Sequence, residues 1–118
     1  MDGAVLDLET TDLSAVGGGF ILCAVVKPLR KKPIVFRYDE LHCRAAHEKR
    51  LVEELVKELE KYQLWIGHNL DRFDFSFLKS RANLLGVPFT CAPLTYDTML
   101  AFRRIGYLTT RHYLTGKP

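Results

Sequence analysis

The sequence has only three cysteines, Cys23, Cys43 and Cys91, and no C-x-x-C pair. Their number is odd and their spacing wide, and no Cys/His spacing of a zinc site occurs. A disulfide-stapled domain and a zinc module are both disfavoured. The thiols read as reduced, in a reducing compartment, with Cys23 a core residue. Long hydrophobic runs are missing too, so no segment approaches membrane-spanning length. The N-terminus lacks the basic segment leading into an apolar one that marks a secretory signal. These absences predict a soluble, cytoplasmic protein with no membrane partner.

Phosphate-cradling glycine loops are also lacking. Gly116-Lys117 is not a P-loop, because Arg111 stands where the earlier glycine belongs and no Ser or Thr follows. Gly17-Gly18-Gly19 lacks the G-x-G-x-x-G spacing and joins two strands, which disfavours a dinucleotide fold. No repeat, low-complexity segment or interdomain linker occurs, and no nucleophile–His–Asp arrangement is legible.

What is present fits one domain spanning residues 1–118. The content, 47% hydrophobic and 26% charged, is that of an ordinary globular chain. The net charge of +3 permits a nucleic-acid partner without arguing for one. Its distribution says more. Lys27, Arg30, Lys31, Lys32 and Arg37 lie close together, and Arg103, Arg104, Arg111 and Lys117 follow the last acid. Such residues can track phosphates, or simply form solvated loops.

The hydrophobic pattern predicts an α/β domain. Strands are expected at Ala4–Leu8, Phe20–Val26 and Ile34–Tyr38, joined by a glycine turn and a basic loop as an antiparallel meander. Leu51, Val52, Leu55, Val56, Leu59 and Tyr62 recur at helical spacing, predicting a helix over about 45–62. A short strand Leu64–Gly67, a helix Asp71–Leu85 stopped by Gly86, a strand near Leu94–Tyr96 and a helix from about Asp97 follow. The order β-β-β-α-β-α-β-α describes a mixed sheet flanked by helices.

Two stretches carry chemistry. In the strand of Asp7-Leu8-Glu9-Thr10-Thr11, alternation places Asp7 and Glu9 on one face and Leu6 and Leu8 on the other. Two carboxylates side by side at the end of a buried strand are unfavourable unless a cation neutralises them. The second stretch, Gly67-His68-Asn69-Leu70-Asp71-Arg72-Phe73-Asp74-Phe75, runs from a strand end into a helix. There Asn69 or Asp71 is positioned to cap the helix, and Asp74 projects from its first turn toward the strand ends. Asn69 can also reach the substrate or the metal shell. Phe73 is a core anchor and, secondarily, a candidate substrate contact. His68 reads as a histidine satisfied at a strand end. Asp97 reads as the cap of the helix that follows it. Two Mg²⁺ or Mn²⁺ ions held by such acids can stabilise both oxygens of an in-line phosphoryl displacement.

The pair DLETT and GHNxxxFDxxFL resembles the first two motifs of the DEDD-type 3′–5′ exonucleases. It is most similar to the branch containing the proofreading domains of family B DNA polymerases. The resemblance covers about residues 4–100. It implies a ribonuclease H-like fold and trimming of single-stranded DNA or RNA from the 3′ end. It implies that Asp7, Glu9 and Asp74 hold the metals and that Thr10 and Asn69 lie by the substrate strand. In that assignment Asp7 touches both ions, Glu9 binds one and orients the attacking water, and Asp74 holds the second ion or its waters.

The pattern departs at its end. The resemblance calls for a fourth Asp, five residues after a His or four after a Tyr. No His or Tyr here has one, and no carboxylate follows Asp97. The expected domain is therefore C-terminally incomplete: a truncated form, a natural fragment, or a subunit completed by another chain or by self-association. By itself it is expected to have weak or no nuclease activity. The alternatives are a catalytically dead exonuclease-like module that binds nucleic acid or a partner, and a structural subunit.

Overall fold

The computed structural model describes residues 2–15, 17–41 and 48–105. Five strands form one sheet: β1 Gly3–Thr10, β2 Ile21–Pro28, β3 Ile34–Arg37, β4 Leu64–Gly67 and β5 Leu94–Asp97. Their spatial order is β3-β2-β1-β4-β5. The β1–β2 and β2–β3 pairs are antiparallel, and β4 and β5 run parallel to β1. The meander-plus-parallel-strands architecture read from the sequence is the one observed.

Two helices, α1 Lys49–Leu59 and α2 Phe75–Leu85, share a core with one face of the sheet. That face is built from Ala4, Leu6 and Leu8 of β1, Ala24 and Val26 of β2, and Trp65 of β4. The helical stripe Leu51, Val52, Leu55, Val56 and Leu59 is buried against it, as the periodicity requires. The Trp65 indole donates to the carbonyls of Leu59 and Tyr62. It thereby adds a second donor to the Leu59 carbonyl at the end of α1, which also accepts the Tyr62 N–H at 3.1 Å, and a donor to the Tyr62 carbonyl just beyond the helix. Residues 98–105 are helical and follow β5 directly.

Helix α1 is shorter than the sequence suggests. Residues 45–47 lie outside the described residues, but Glu48 is already non-helical, at φ −96° and ψ 34°. Its side chain turns inward and is fully buried. One carboxylate oxygen accepts the Ile21 N–H at 2.8 Å and the Arg81 Nε–H at 2.9 Å, and the other accepts Arg81 Nη2 at 2.6 Å. This buried ion pair joins the start of α1, the start of β2 and the inner face of α2. The motif reading did not include it, yet a signal was there. Glu48 falls on the α1 stripe one turn before Leu51 and Val52, and Arg81 falls between Phe77, Leu78, Ala82 and Leu85. Two charges of opposite sign interrupting two apolar stripes call for each other.

The second helix also differs. Leu70–Asp74 forms one wide π-helical turn before α2 begins, with the Phe75 N–H bonded to the Leu70 carbonyl. Gly67 permits this close approach, because a Cβ there would meet Leu70 Cβ at 3.0 Å and the Leu6 carbonyl at 3.1 Å. At its other end α2 stops at Gly86, whose φ of 71° suits glycine, and the Val87 N–H returns to the Ala82 carbonyl at 2.8 Å.

Candidate active site

Strand alternation places Asp7 and Glu9 on the sheet face opposite the core, and both are exposed. Their neighbours on β2 are Val25 and Cys23, which pair with Asp7 and Glu9 respectively. Cys23 is thus a half-buried residue of the acid face and not a core residue as expected. The inward positions of β2 go to Ile21, Ala24 and Val26. Burial raises the Cys23 thiol pKa, with Arg37 pulling it down and Glu9 and Asp7 pushing it up. Cys91 is half-buried against the core, and Cys43 lies outside the described residues.

The second motif docks onto the first through one hydrogen bond. Pairing of β1 with β4 ends at Val5 opposite Ile66. Beyond that point the Leu8 N–H is a buried donor, and such donors need acceptors. Asp74 supplies one: its Oδ2 accepts the Leu8 N–H at 3.2 Å. Leu8 lies between Asp7 and Glu9 in the chain, so this bond seats the third acid at the backbone that carries the first two. Asp74 is 4% exposed. Burial pushes its pKa up to about 7, the Leu8 amide opposes this, and the negative charges of Asp7, Asp97 and Glu9 add to it. The negative charges of Asp7 and Glu9 are therefore felt at Asp74.

Among the described residues, no three His, Cys, Asp or Glu side chains stand together as a closed metal-binding group. The donor set still suits a hard cation, because Mg²⁺ is commonly held by one or two carboxylates together with waters and substrate phosphate oxygens.

Asn69 and Asp71 do not cap the helix with their side chains, contrary to expectation. Asn69 is left-handed, at φ 60°, and makes no capping bond. The cap comes from β5. The Asp97 carboxylate accepts the N–H groups of Asn69 at 2.8 Å, Asp71 at 3.2 Å and Met99 at 3.0 Å. Burial raises the Asp97 pKa, but the amides of Asp71, Met99, Asn69 and Leu100 outweigh it and hold the group below the usual carboxylate range. Asp97 thus caps the helix that follows it, as read from the sequence, and also clamps the Asn69 turn. That turn frees the Asn69 side chain from capping. Thr10 sits at the end of β1 and donates to the Asp12 carbonyl at 2.8 Å. Phe73 is half-buried, its ring centroid 5.4 Å from that of Phe77. It also lines a cleft of about 230 Å³ with Leu13, Ala15, Arg72, Ser76 and Ser80.

The basic loop between β2 and β3 lies away from this site. Lys27 pairs with Val5 and Pro28 with Ala4, toward the start of β1, whereas Asp7 and Glu9 lie toward its end. Arg37 is level with Cys23 but is engaged by Asp39 at 2.8 Å. Arg72 stands within the second motif, and Arg103 and Arg104 are exposed in the helix that follows β5. Arg111 and Lys117 lie outside the described residues.

The raised Asp74 pKa has a signed consequence. The folded chain retains a proton between about pH 4 and pH 7 that the unfolded chain has released, so stability falls as pH rises through that window and levels above it. Asn keeps an acceptor for the Leu8 amide without the charge. Asp74→Asn is expected to be about 1–3 kcal/mol more stable than the wild type at pH 8 and no more stable near pH 4. Urea denaturation at three pH values checks this, and parallel pH curves for the two proteins would refute it.

A mixed sheet of order 3-2-1-4-5, with acids at the end of its central strand and at the helix after the fourth, defines a ribonuclease H-like protein. The comparisons agree. Residues 4–114 match the family model described as RNase_H superfamily, and the chain belongs to that superfamily. Among solved structures it is similar to the family B DNA polymerase from the hyperthermophilic archaeon Pyrobaculum calidifontis, with a TM-score of 0.65 and 18% identity. That match covers 84% of this chain and 15% of the polymerase, so the chain spans a small part of that protein's length. No curated protein matches the chain. Among the described residues, no helix is long and apolar enough to cross a membrane.

Proposed function

We propose that the chain is a metal-dependent 3′–5′ exonuclease module acting on the ends of single-stranded DNA or RNA. The observation that carries this reading is the bond from the Leu8 amide to Asp74, which seats the acid of the second motif against the strand bearing Asp7 and Glu9. Asp7 and Glu9 would hold Mg²⁺ or Mn²⁺, and Asp74 would hold a second ion or its waters. Bound there, such ions polarise the phosphoryl oxygen and lower the pKa of an attacking water. The chain's own residues position the substrate: Thr10, Asn69 and Phe73 border the approach, and Arg72 offers a counter-charge to phosphate. Because the acids do not form a closed group, the ions are expected to bind weakly alone and more tightly with a strand that brings phosphate oxygens.

Calorimetry with Mn²⁺, with and without a non-cleavable strand, together with digestion of an end-labelled strand, tests this. Strand-enhanced metal binding and slow trimming from the 3′ end are expected. A second reading, a binding module without catalysis, is favoured by the open arrangement of the acids, which form no closed metal-binding group among the described residues. Strand binding that ignores metal, with no trimming, would select it and reject the exonuclease.

A further inference from the structure

The sequence predicts a satisfied histidine at position 68, but among the described residues only Nδ1 of its ring has a partner. Its Nδ1 lies 3.1 Å from Thr98 Oγ1, and Thr98 Oγ1 donates its proton to the Gly67 carbonyl at 3.2 Å. A threonine hydroxyl has one proton. The Gly67 carbonyl can only accept, so assigning that proton to it leaves the oxygen to accept from His68 and assigns the proton of a neutral ring to Nδ1. In the neutral ring Nε2 then carries a lone pair. His68 is exposed. Neighbours across a parallel pair share a face, and Ile66 pairs with Val5 on one side and Tyr96 on the other. Asp7 lies two residues beyond this row in β1, and His68 and Thr98 directly follow the last residues of β4 and β5, so all three stand at the same end of the sheet.

We propose that His68 is a substrate-contacting residue, whose Nε2 accepts a hydrogen bond from a sugar hydroxyl of the terminal nucleotide, and that Thr98 positions it. This rests on the nucleic-acid reading of the site. A phosphate oxygen is an acceptor and does not match a bare Nε2, whereas the 2′- and 3′-hydroxyls are donors. The contact therefore reads the end of the strand, separately from the acids that would hold metal. It also gives a role to the Thr98–Gly67 bond, which fixes the tautomer as partners of functional histidines do.

Equilibrium binding in Ca²⁺ tests this, using single strands that end in ribose, 2′-deoxyribose, 3′-deoxyribose or 2′,3′-dideoxyribose. For the wild type, removing the contacted hydroxyl is expected to weaken binding about two- to tenfold, and the arms show which hydroxyl it is. His68→Phe is expected to bind all four termini alike, at the wild-type level for the dideoxy end. Thr98→Val, which keeps its shape but loses the tether, is expected to discriminate less than the wild type. Discrimination retained in His68→Phe, or an equal loss for every terminus, would overturn the proposal. Wild-type chain that binds no strand would overturn both this and the nuclease reading. His68-dependent discrimination without metal-dependent trimming would support the contact and reject the exonuclease.

Discussion

Asp7→Ala is expected to abolish the slow metal-dependent trimming proposed for this chain, because it removes an acid proposed to hold the metal. The same change is expected to leave stability within about 0.5 kcal/mol of the wild type, or to raise it slightly. Asp7 is exposed. Of the surrounding charges, it is the one that most opposes ionisation of Asp74, so its removal relieves that buried carboxyl. Lost function with unchanged or improved stability separates a site residue from a structural one. Cleavage assays paired with urea denaturation read both quantities. A cleaving Asp7→Ala chain would remove the basis of the metal assignment.

Arg81→Met is expected to cost about 3–5 kcal/mol, a large part of the stability of a small domain. Its partner Glu48 is fully buried, and the pair's contacts are 2.6 and 2.9 Å. Without Arg81 a carboxylate remains inside, with the Ile21 amide as its partner among the described residues. Adding Glu48→Gln removes the orphaned charge while keeping an acceptor for that amide. The double variant is therefore expected to recover at least about half of the loss. Urea midpoints of both single variants and the double variant measure the coupling. An Arg81→Met chain within about 1 kcal/mol of the wild type would show that the pair is dispensable.

These two changes differ in how legible they were. The acids stand out because Asp7 and Glu9 share one strand face and, with Asp74, fall in two motifs whose joint order and spacing survive in a linear reading. Glu48 and Arg81 are 33 residues apart, and each alone looks like an ordinary helix charge. Only the coincidence of both on apolar stripes points inward. The capping of the Asn69 turn was misassigned for a related reason. Local sequence offers Asn69 and Asp71 as caps, but the acceptor that reaches their amides is Asp97, 28 and 26 residues on, brought alongside by the parallel pairing of β4 and β5. For the basic loop after β2, charge alone leaves two readings open, phosphate tracking and a solvated loop. The antiparallel turn of the chain carries it to the other end of the sheet.

Strand and helix types, the meander, the buried stripe of α1 and the exposure of Asp7 and Glu9 follow from periods of two and about 3.6 residues, which a chain displays without its fold. The joining of Asp74 to Leu8, the double clamp of Asp97, the buried Glu48–Arg81 pair and the half-free ring of His68 depend on which backbone groups are left over once the strands have paired. Those leftover donors and acceptors exist only after assembly, so tertiary structure alone decided how they are satisfied.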